Sequence, residues 1–247
     1  MSAMDDMPTM QAQLPALRCD PSMTSDVDPR SDFPAHGGGG QIPVLDDAVH
    51  LWVLDTGADG ARAVRTAARS ALDRLLRQYA RGAAFEIETG SHGKPYAPAL
   101  PWLHFNVSHA GSHVALAFAR NQALGVDIED CSRKLSVDGL AKRFFGATEA
   151  TALARMAPEG RKAAFLQLWT HKEAVLKALG EGLSFGLDRV EFELGMDGQA
   201  GSMCLIASSA GRPGEWQVKR FTPAPGLTGS IAWRGPERAL NLFRLPS

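Results

Sequence analysis

The sequence predicts a mixed α+β fold, and three observations lead to this prediction. Apolar and polar residues alternate with a period of two in several short segments, as they do in half-buried strands, at 113–119, 123–129 and 190–194. Apolar residues follow helical spacing in two longer segments, 61–81 and 161–179. Only Arg120-Asn121-Gln122 separates two of the strands, so we expect an antiparallel hairpin there rather than a doubly wound parallel sheet.

Taken in order along the chain, the first part is expected to lack order. Residues 1–43 contain a stretch rich in Met, Asp, Pro and Ser and then four consecutive glycines, without a sustained apolar period. We interpret this segment as a flexible N-terminal extension, with a regulatory or docking tail as the alternative. Order is expected to begin near Val44, with a strand at 50–54.

The helix predicted at 61–81 has one apolar stripe and one basic face. Its stripe consists of Val64, Ala68, Leu72, Leu75 and Tyr79, and its arginines lie off the stripe, where a solvated face is the default interpretation. A short strand is predicted at 85–88, and helical segments at 140–145 and 149–156. After the long helix at 161–179, further strands are predicted at 203–207, 216–221, 230–234 and 240–245.

Composition excludes several classes of protein. The 247 residues are 45% hydrophobic and 21% charged, with a formal net charge of -1, which argues against a general nucleic-acid binder. Cys19, Cys131 and Cys204 are far apart and form no C-x-x-C pair, so neither a disulfide framework nor a zinc knuckle is indicated. No apolar run is long enough for a membrane span, and the N-terminus does not resemble a secretory signal. We therefore expect a cytoplasmic protein.

The first group of residues that indicates chemistry is Gly125-Val126-Asp127-Ile128-Glu129. On a strand, Asp127 and Glu129 lie on the same face, and neighbouring carboxylates repel unless a cation lies between them. Such hard oxygen ligands suit magnesium, whereas a polar face of an edge strand is the alternative. Gly125 shares that face. Its missing side chain either leaves space for a ligand beside the metal or meets a backbone requirement at the end of a turn.

Two further groups have the same ambiguity. In Trp169-Thr170-His171-Lys172-Glu173-Ala174-Val175-Leu176-Lys177, Glu173 and Lys177 share one helix face. They could form an ordinary salt bridge, or supply a third metal carboxylate beside a phosphate-binding ammonium. In Phe105-Asn106-Val107-Ser108-His109, Ser108 and His109 are expected just before a strand, near a loop mouth. No G-x-S-x-G motif accompanies them, which counts against an α/β-hydrolase.

These groups occur in one order along the chain. Gly93-Lys94-Pro95 comes first, then the Ser108 and His109 group, then the Asp127 and Glu129 group, then Arg143-Phe144-Phe145 with Thr148-Glu149, and finally the Glu173 and Lys177 group with Gly180-Glu181-Gly182-Leu183. Over roughly residues 61–195 this pattern closely resembles the 4′-phosphopantetheinyl transferases of the surfactin-synthetase-activating type. The resemblance implies a monomeric pseudo-dimer of two similar α+β lobes, 44–124 and 125–247, with the active site in the cleft between them.

The resemblance also implies roles for individual residues. The magnesium-binding acids are Asp127, Glu129 and Glu173. The groups expected around coenzyme A are His109 at the 3′-phosphate, Lys94 near the adenine, Ser108 beside the nucleotide, Lys172 and Lys177 near the pyrophosphate, and Arg69, with Arg65 as the alternative, at the nucleotide. Glu181 departs from the pattern, since many relatives have a lysine there.

The implied reaction is the magnesium-dependent transfer of the 4′-phosphopantetheine arm of coenzyme A to a serine of an apo acyl, peptidyl or polyketide carrier protein. Glu173 or a metal-bound water is the expected base, and Lys177 is expected to stabilise phosphoryl charge. The carrier is expected to dock around residues 142–149. A different magnesium-dependent nucleotide enzyme and a non-catalytic carrier-binding relative are the alternatives. The joint presence of both signature groups argues against the first, and the intact acids and Lys177 argue against the second.

Overall fold

The structure is a computed structural model that describes residues 42–246, without the side chain of Leu183. Apart from residues 42 and 43, the predicted N-terminal extension lies outside the described residues. Eleven strands and four α-helices form the described chain. They are β1 (Val49–Asp55), α1 (Ala61–Ala80), β2 (Glu88–Thr89), β3 (Pro95–Tyr96), β4 (Leu103–Ala110), β5 (His113–Arg120), β6 (Leu124–Asp130), α2 (Val137–Phe144), α3 (Ala147–Arg155), α4 (Pro158–Leu179), β7 (Val190–Leu194), β8 (Ala200–Ile206), β9 (Trp216–Phe221), β10 (Leu227–Arg234) and β11 (Leu240–Arg244).

The first sheet has the strand order β11-β1-β5-β4. β5 pairs antiparallel with both β1 and β4, whereas β11 pairs parallel with β1. Helix α1 covers one face of this sheet, and its apolar residues pack against buried side chains of β1, β4 and β5. The apolar stripe predicted for α1 is buried as expected.

The second sheet has the strand order β6-β10-β9, with all pairs antiparallel. Helix α4 packs against it and is surrounded on its other sides by α2, α3, the β7-β8 hairpin and a short 3-10 turn. Proline at the first position of α4 fits the start of a helix, because its missing amide hydrogen would have no partner there.

A third apolar cluster joins the two sheets. It combines small residues of β5 with larger residues of β6 and β10, including Ala115, Ala117, Val126, Ile128 and Ile231. The described chain is therefore α+β, as predicted.

β6 begins at Leu124, so the lobe boundary predicted between residues 124 and 125 lies within this strand, after its first residue. β11 lies within the range predicted for the second lobe, and it pairs with β1 of the first sheet.

The predicted and observed strands differ in the region before β5. The strand predicted at 85–88 is only the two-residue β2, and β4 was not predicted as a strand at all. β4 does alternate, with Leu103 and Phe105 buried on the α1 side and Asn106 and Ser108 on the other face. Within the described part of the chain, no helix is both long and apolar enough to cross a lipid bilayer.

Candidate active site

The face of β6 that carries Asp127 lies directly against α4. The contact is closest at Gly125, where a β-carbon would overlap with the carbonyl oxygen of Ala174 and the amide nitrogen of Ala178. The backbone of Gly125 does not have a positive φ. Both explanations offered for this glycine are therefore wrong. The space beside Gly125 is filled by the backbone of α4, not by a ligand, and no turn conformation requires it.

Close packing at Gly125 brings Lys177 of α4 onto Asp127 of β6. Lys177 Nζ donates to Asp127 Oδ1 at 2.6 Å and to Ser108 Oγ at 3.2 Å. Ser108 Oγ in turn donates to Asp127 Oδ1 at 2.9 Å. Asp127 is 5% exposed, whereas the side chain of Lys177 is 27% exposed, so the carboxylate is shielded from water and the ammonium remains partly accessible. Lys177 therefore forms its salt bridge with Asp127 of β6, and not with Glu173 as one interpretation of the sequence suggested.

Two further carboxylates belong to the same region. Burial, together with the negative charges of Asp127 and Glu129, raises the pKa of Glu173 to about 7, although Lys177 opposes the shift. Burial and Asp127 also raise the pKa of Glu129, although Arg133 lies 3.2 Å away and opposes this shift. The negative charges of three carboxylates on β6 and α4 therefore act on one another, which is the electrostatic setting of a cation site or of a proton acceptor near neutral pH.

The donor set of these acids fits magnesium. Asp127 Oδ2 is buried without a hydrogen-bond partner, and oxygen donors of this kind are those that magnesium prefers. Among residues 42–246, however, no three Asp, Glu, His or Cys side chains are grouped as they would be around a metal ion. The positive charge next to Asp127 Oδ1 is that of the Lys177 ammonium.

Lys172 does not reach this region. It is fully buried, and its ammonium lies 2.5 Å from Glu149 Oε2 and donates to the carbonyl oxygens of Leu187 and Val190. The phenyl ring of Phe145 lies under the same ammonium, 4.7 Å away. The resemblance implied a pyrophosphate contact, but Lys172 has no exposed surface with which to make one. The structure gives it a role in holding α4 against α3 and the 3-10 turn before β7.

Lys94 also differs from its implied role. Its ammonium donates to the carbonyl oxygens of Leu124, Lys177 and Ala178 at 3.0, 2.6 and 3.2 Å. The last two carbonyls belong to the final turn of α4, where carbonyls have no partner within the helix. Burial lowers the pKa of Lys94 to about 8. The residue caps α4 and ties it to β6.

Ser108 and His109 lie on β4, close to the turn at residues 111–112 that leads into β5. Ser108 points toward β6 and is buried, whereas His109 is exposed next to the tight turn at Gly111, where φ is +57°. Arg69 and Arg65 are exposed on α1, whose opposite side faces the first sheet. Of the nine site residues predicted, the structure brings Ser108, Asp127 and Lys177 into direct contact and places Glu129 and Glu173 close enough for their charges to interact.

A cavity of about 280 Å³ opens beside Lys94. Its lining includes Ser91, His92 and His104 and extends to Gly180, directly after α4. Lys94 and Pro95 also line this cavity, which adjoins the C-terminus of the helix that carries Glu173 and Lys177. Polar groups and two imidazoles in one cavity are suitable for a planar, polar ligand group.

Sequence reasoning assigned no role to several polar residues that hold the site elements together. Glu149 accepts from the amide of Phe192 at 2.9 Å in addition to pairing with Lys172. On the other side of α4, Ser230 Oγ lies 2.8 Å from both Thr170 Oγ1 and His171 Nδ1. Nothing in the local sequence pattern relates these residues, because the three hydrogen bonds join positions at least 43 residues apart and the pair with Lys172 joins positions 23 apart.

Comparisons with known proteins agree with the motifs. Residues 123–222 match the model of the 4′-phosphopantetheinyl transferase superfamily. The chain is 41% identical over 113 residues to 4′-phosphopantetheinyl transferase Sfp of Bacillus subtilis (strain 168), which covers 46% of this chain and 49% of that protein. It is 35% identical over 96 residues to 4′-phosphopantetheinyl transferase AcpT of Escherichia coli (strain K12), which covers 38% of this chain and 49% of that protein.

A further Bacillus subtilis 4′-phosphopantetheinyl transferase is 39% identical over 117 residues, 47% of this chain and 50% of that protein. The chain spans about half the length of the curated relatives it matches. The matched residues of the superfamily model contain β6 and α4, and with them Asp127, Glu129, Glu173 and Lys177. The comparisons therefore confirm, for residues 123–222, the resemblance to 4′-phosphopantetheinyl transferases that the two signature groups predict.

Proposed function

We propose that this protein transfers the 4′-phosphopantetheine arm of coenzyme A to a serine of an apo carrier protein. One observation carries the proposal. Within the residues that match the superfamily, the buried carboxylate of Asp127 pairs with the partly exposed ammonium of Lys177, and the charges of both act on Glu173, a carboxyl group whose pKa is about 7. This combination supplies a positive charge for a phosphoryl oxygen and a base of suitable pKa for a hydroxyl proton.

The reaction forms one bond and breaks one bond. The carrier serine oxygen attacks the phosphorus that bears the pantetheine arm, and the bond from that phosphorus to the bridging oxygen of the pyrophosphate breaks. Adenosine 3′,5′-bisphosphate is released with the bridging oxygen. The serine proton passes to Glu173, which is able to accept it near neutral pH because burial and neighbouring charges raise its pKa to about 7.

Lys177 is suited to interact with the developing phosphoryl charge, because its ammonium is held in place by Asp127 and Ser108. Magnesium, for which Asp127, Glu129 and Glu173 are the suitable ligands, would supply charge compensation for the pyrophosphate when bound. The exposed imidazole of His109 remains our proposed contact for the 3′-phosphate. The cavity beside Lys94 is our proposed site for the nucleotide base.

The carrier is proposed to dock on α2 and the start of α3. Lys142 and Arg143 are exposed there and offer positive charge to an acidic carrier. Phe145 is buried in the core, so Phe144, which is half-buried under the guanidinium of Arg143, is the remaining apolar anchor. Because Ser108, Asp127 and Lys177 come from one chain, we also propose that a monomer suffices, which light scattering can check.

The proposed function is tested by incubating the protein with coenzyme A, magnesium chloride and a panel of apo acyl, peptidyl and polyketide carriers, followed by intact-mass spectrometry of each carrier. A mass increase of one phosphopantetheine group is the expected result. Release of adenosine 3′,5′-bisphosphate in equal amount confirms the bond that breaks. A carrier that binds without a change in mass would indicate a non-catalytic relative.

Asp127→Asn is the matched site variant, because the amide keeps the shape and an acceptor for Ser108 while removing the charge. We expect transfer to fall by at least about a hundredfold, since the site loses a buried charge that orients Lys177. Asp188→Asn, a change at an exposed aspartate, is the control and should leave transfer unchanged.

Charge reversal at Lys142 should raise KM for an acidic carrier in a salt-dependent way and leave KM for coenzyme A unchanged.

A further inference from the structure

The two sheets meet at their edge strands without a backbone ladder between them. β4 is the edge of the first sheet, β6 is the edge of the second, and β6 pairs with β10 on its other side only. An unpaired strand edge leaves amides and carbonyls without partners, and such groups are costly when they are buried. The side chains that satisfy this edge of β6 come from the first half of the chain.

Three of these bonds follow one another along β6. Lys94 Nζ donates to the carbonyl oxygen of Leu124 at 3.0 Å, Val126 N donates to Asn106 Oδ1 at 2.8 Å, and Ile128 N donates to Ser108 Oγ at 3.3 Å. The two amide bonds join residues that are 20 positions apart, so both have the same parallel register. A slip of one residue would break both bonds and turn Asp127 to the other face.

The hydrogen-bonding capacity of Ser108 and Lys94 is fully used in this arrangement. A hydroxyl has one donor and two acceptor positions, and Ser108 Oγ donates to Asp127 and accepts from Ile128 N and Lys177 Nζ. An ammonium has three donors, and Lys94 directs them to the carbonyls of Leu124, Lys177 and Ala178. Neither group has a donor left for a nucleotide.

We propose that Lys94, Asn106 and Ser108 form a side-chain ladder that fixes the edge of β6 and the last turn of α4, and so positions Asp127 opposite Lys177. They are positioning residues, because they act through Asp127 and Lys177. The effect on transfer rests on the proposed function, whereas the ladder itself does not. In this ladder, Lys94 and Ser108 contact β6 and α4, whereas the resemblance implied that they contact the nucleotide.

The ladder is tested by amide hydrogen exchange of the nitrogen-15-labelled protein. Asn106→Ala should accelerate exchange at Val126, and Ser108→Ala at Ile128, each by roughly tenfold because one hydrogen bond is lost. The amides of Gly125 and Asp127 should keep their protection, since alternate residues of an antiparallel edge strand face its partner strand β10. Val107→Ala, on the same strand but on the α1 side, is the control and should not produce this alternating pattern.

Two results would overturn the proposal. Equal acceleration along all of β6 would mean general destabilisation, and unchanged exchange at Val126 and Ile128 would mean that the two side chains do not bond these amides.

Lys94→Met should shift the carbonyl carbon resonance of Leu124, and Lys94→Arg, which keeps donors, should largely restore it. In the transfer assay, Ser108→Ala should lower kcat about fivefold to tenfold with KM for coenzyme A little changed. A rise in KM alone would instead indicate a nucleotide contact. If the wild-type protein modifies no carrier, the transferase proposal fails, and the exchange data still decide the ladder.

Discussion

Helices α1 and α4 each cover one face of a sheet, but they do so in opposite ways. α1 buries large side chains such as Leu75 and Tyr79 on one side and exposes its arginines on the other. α4 approaches its sheet so closely that Gly125 has no room for a β-carbon. It buries Thr170 and His171 against Ser230 of the same sheet, and Lys172 against Glu149 of α3. The difference indicates a division of roles. A helix buried on one side supports its sheet, whereas a helix buried on several sides can hold charges in fixed positions.

The largest expected difference between the two helices is in the change of unfolding free energy when one positive charge is removed from each. Lys172→Met should destabilise the protein by about 3–5 kcal/mol, because Glu149 would remain buried without its partner. Arg74→Met, at an exposed position of α1, should change stability by less than about 0.5 kcal/mol. Urea unfolding measures both. The double variant Lys172→Met and Glu149→Gln should recover much of the loss, and no recovery would mean that the pair is not what stabilises this side of α4.

A single added methyl group tests the close contact of α4. Gly125→Ala should cost up to about 3 kcal/mol, because the new β-carbon would meet helix backbone that cannot move independently. Gly214→Ala is the control, since nothing lies within 4 Å of its β-carbon position. Thermal unfolding of both variants is the measurement. A stable Gly125→Ala protein would show that α4 can move away from β6.

Acid should weaken the contact between α1 and the first sheet. Trp52 Nε1 donates to the hydroxyl of Tyr79, which lies 2.9 Å from His50 Nδ1, and burial lowers the pKa of His50 to about 4. The unfolded chain binds this proton below about pH 6.5, so stability is lost as the pH falls from there toward 4, by about 2 kcal/mol at pH 5.

The measurement is urea unfolding at pH 7 and pH 5 for the wild type and His50→Gln. The variant should lose less stability on acidification than the wild type does. His171 on α4, whose pKa burial also lowers to about 4, should account for a further part of the acid sensitivity that the variant retains. An identical pH dependence in both proteins would exclude His50 as a source.

The smallest expected effect on stability concerns the exposed face of α1. Arg69→Ala should change the free energy of unfolding by less than about 0.5 kcal/mol, because the side chain is exposed. If Arg69 contacts the nucleotide as the resemblance implies, KM for coenzyme A should rise while kcat stays near the wild-type value. Arg65→Ala serves as the comparison, and an unchanged KM in both variants would remove α1 from the site.

The contrast between the helices also explains what could be predicted from the sequence. The stripe of α1 was evident because burial on one side leaves a clear period, and the alternation of Val126 and Ile128 against Asp127 identified the face of β6. For Lys172 the resemblance implied a pyrophosphate contact, whereas the structure pairs it with Glu149. Its partner Glu149 lies on another helix, and no local pattern relates the two.

Gly125 and Lys94 were misinterpreted for a related reason. The feature that explains each is the backbone of α4, about fifty residues later for Gly125 and more than eighty for Lys94. Backbone atoms carry no residue-specific signal, so a contact with them cannot be anticipated from residue types. β4 is different, because its alternation of Leu103 and Phe105 against Asn106 and Ser108 was available and would have placed Ser108 on a strand.

The parallel pairing of β11 with β1 has a consequence for how the chain folds during synthesis. β1 and β5 can pair as soon as residue 120 has left the ribosome, but β1 then still has an open edge until residues 240–244 have been translated. An unpaired strand edge on a nascent chain is a site for wrong association. The first sheet is therefore completed last, after the elements that carry Asp127 and Lys177 have already been made.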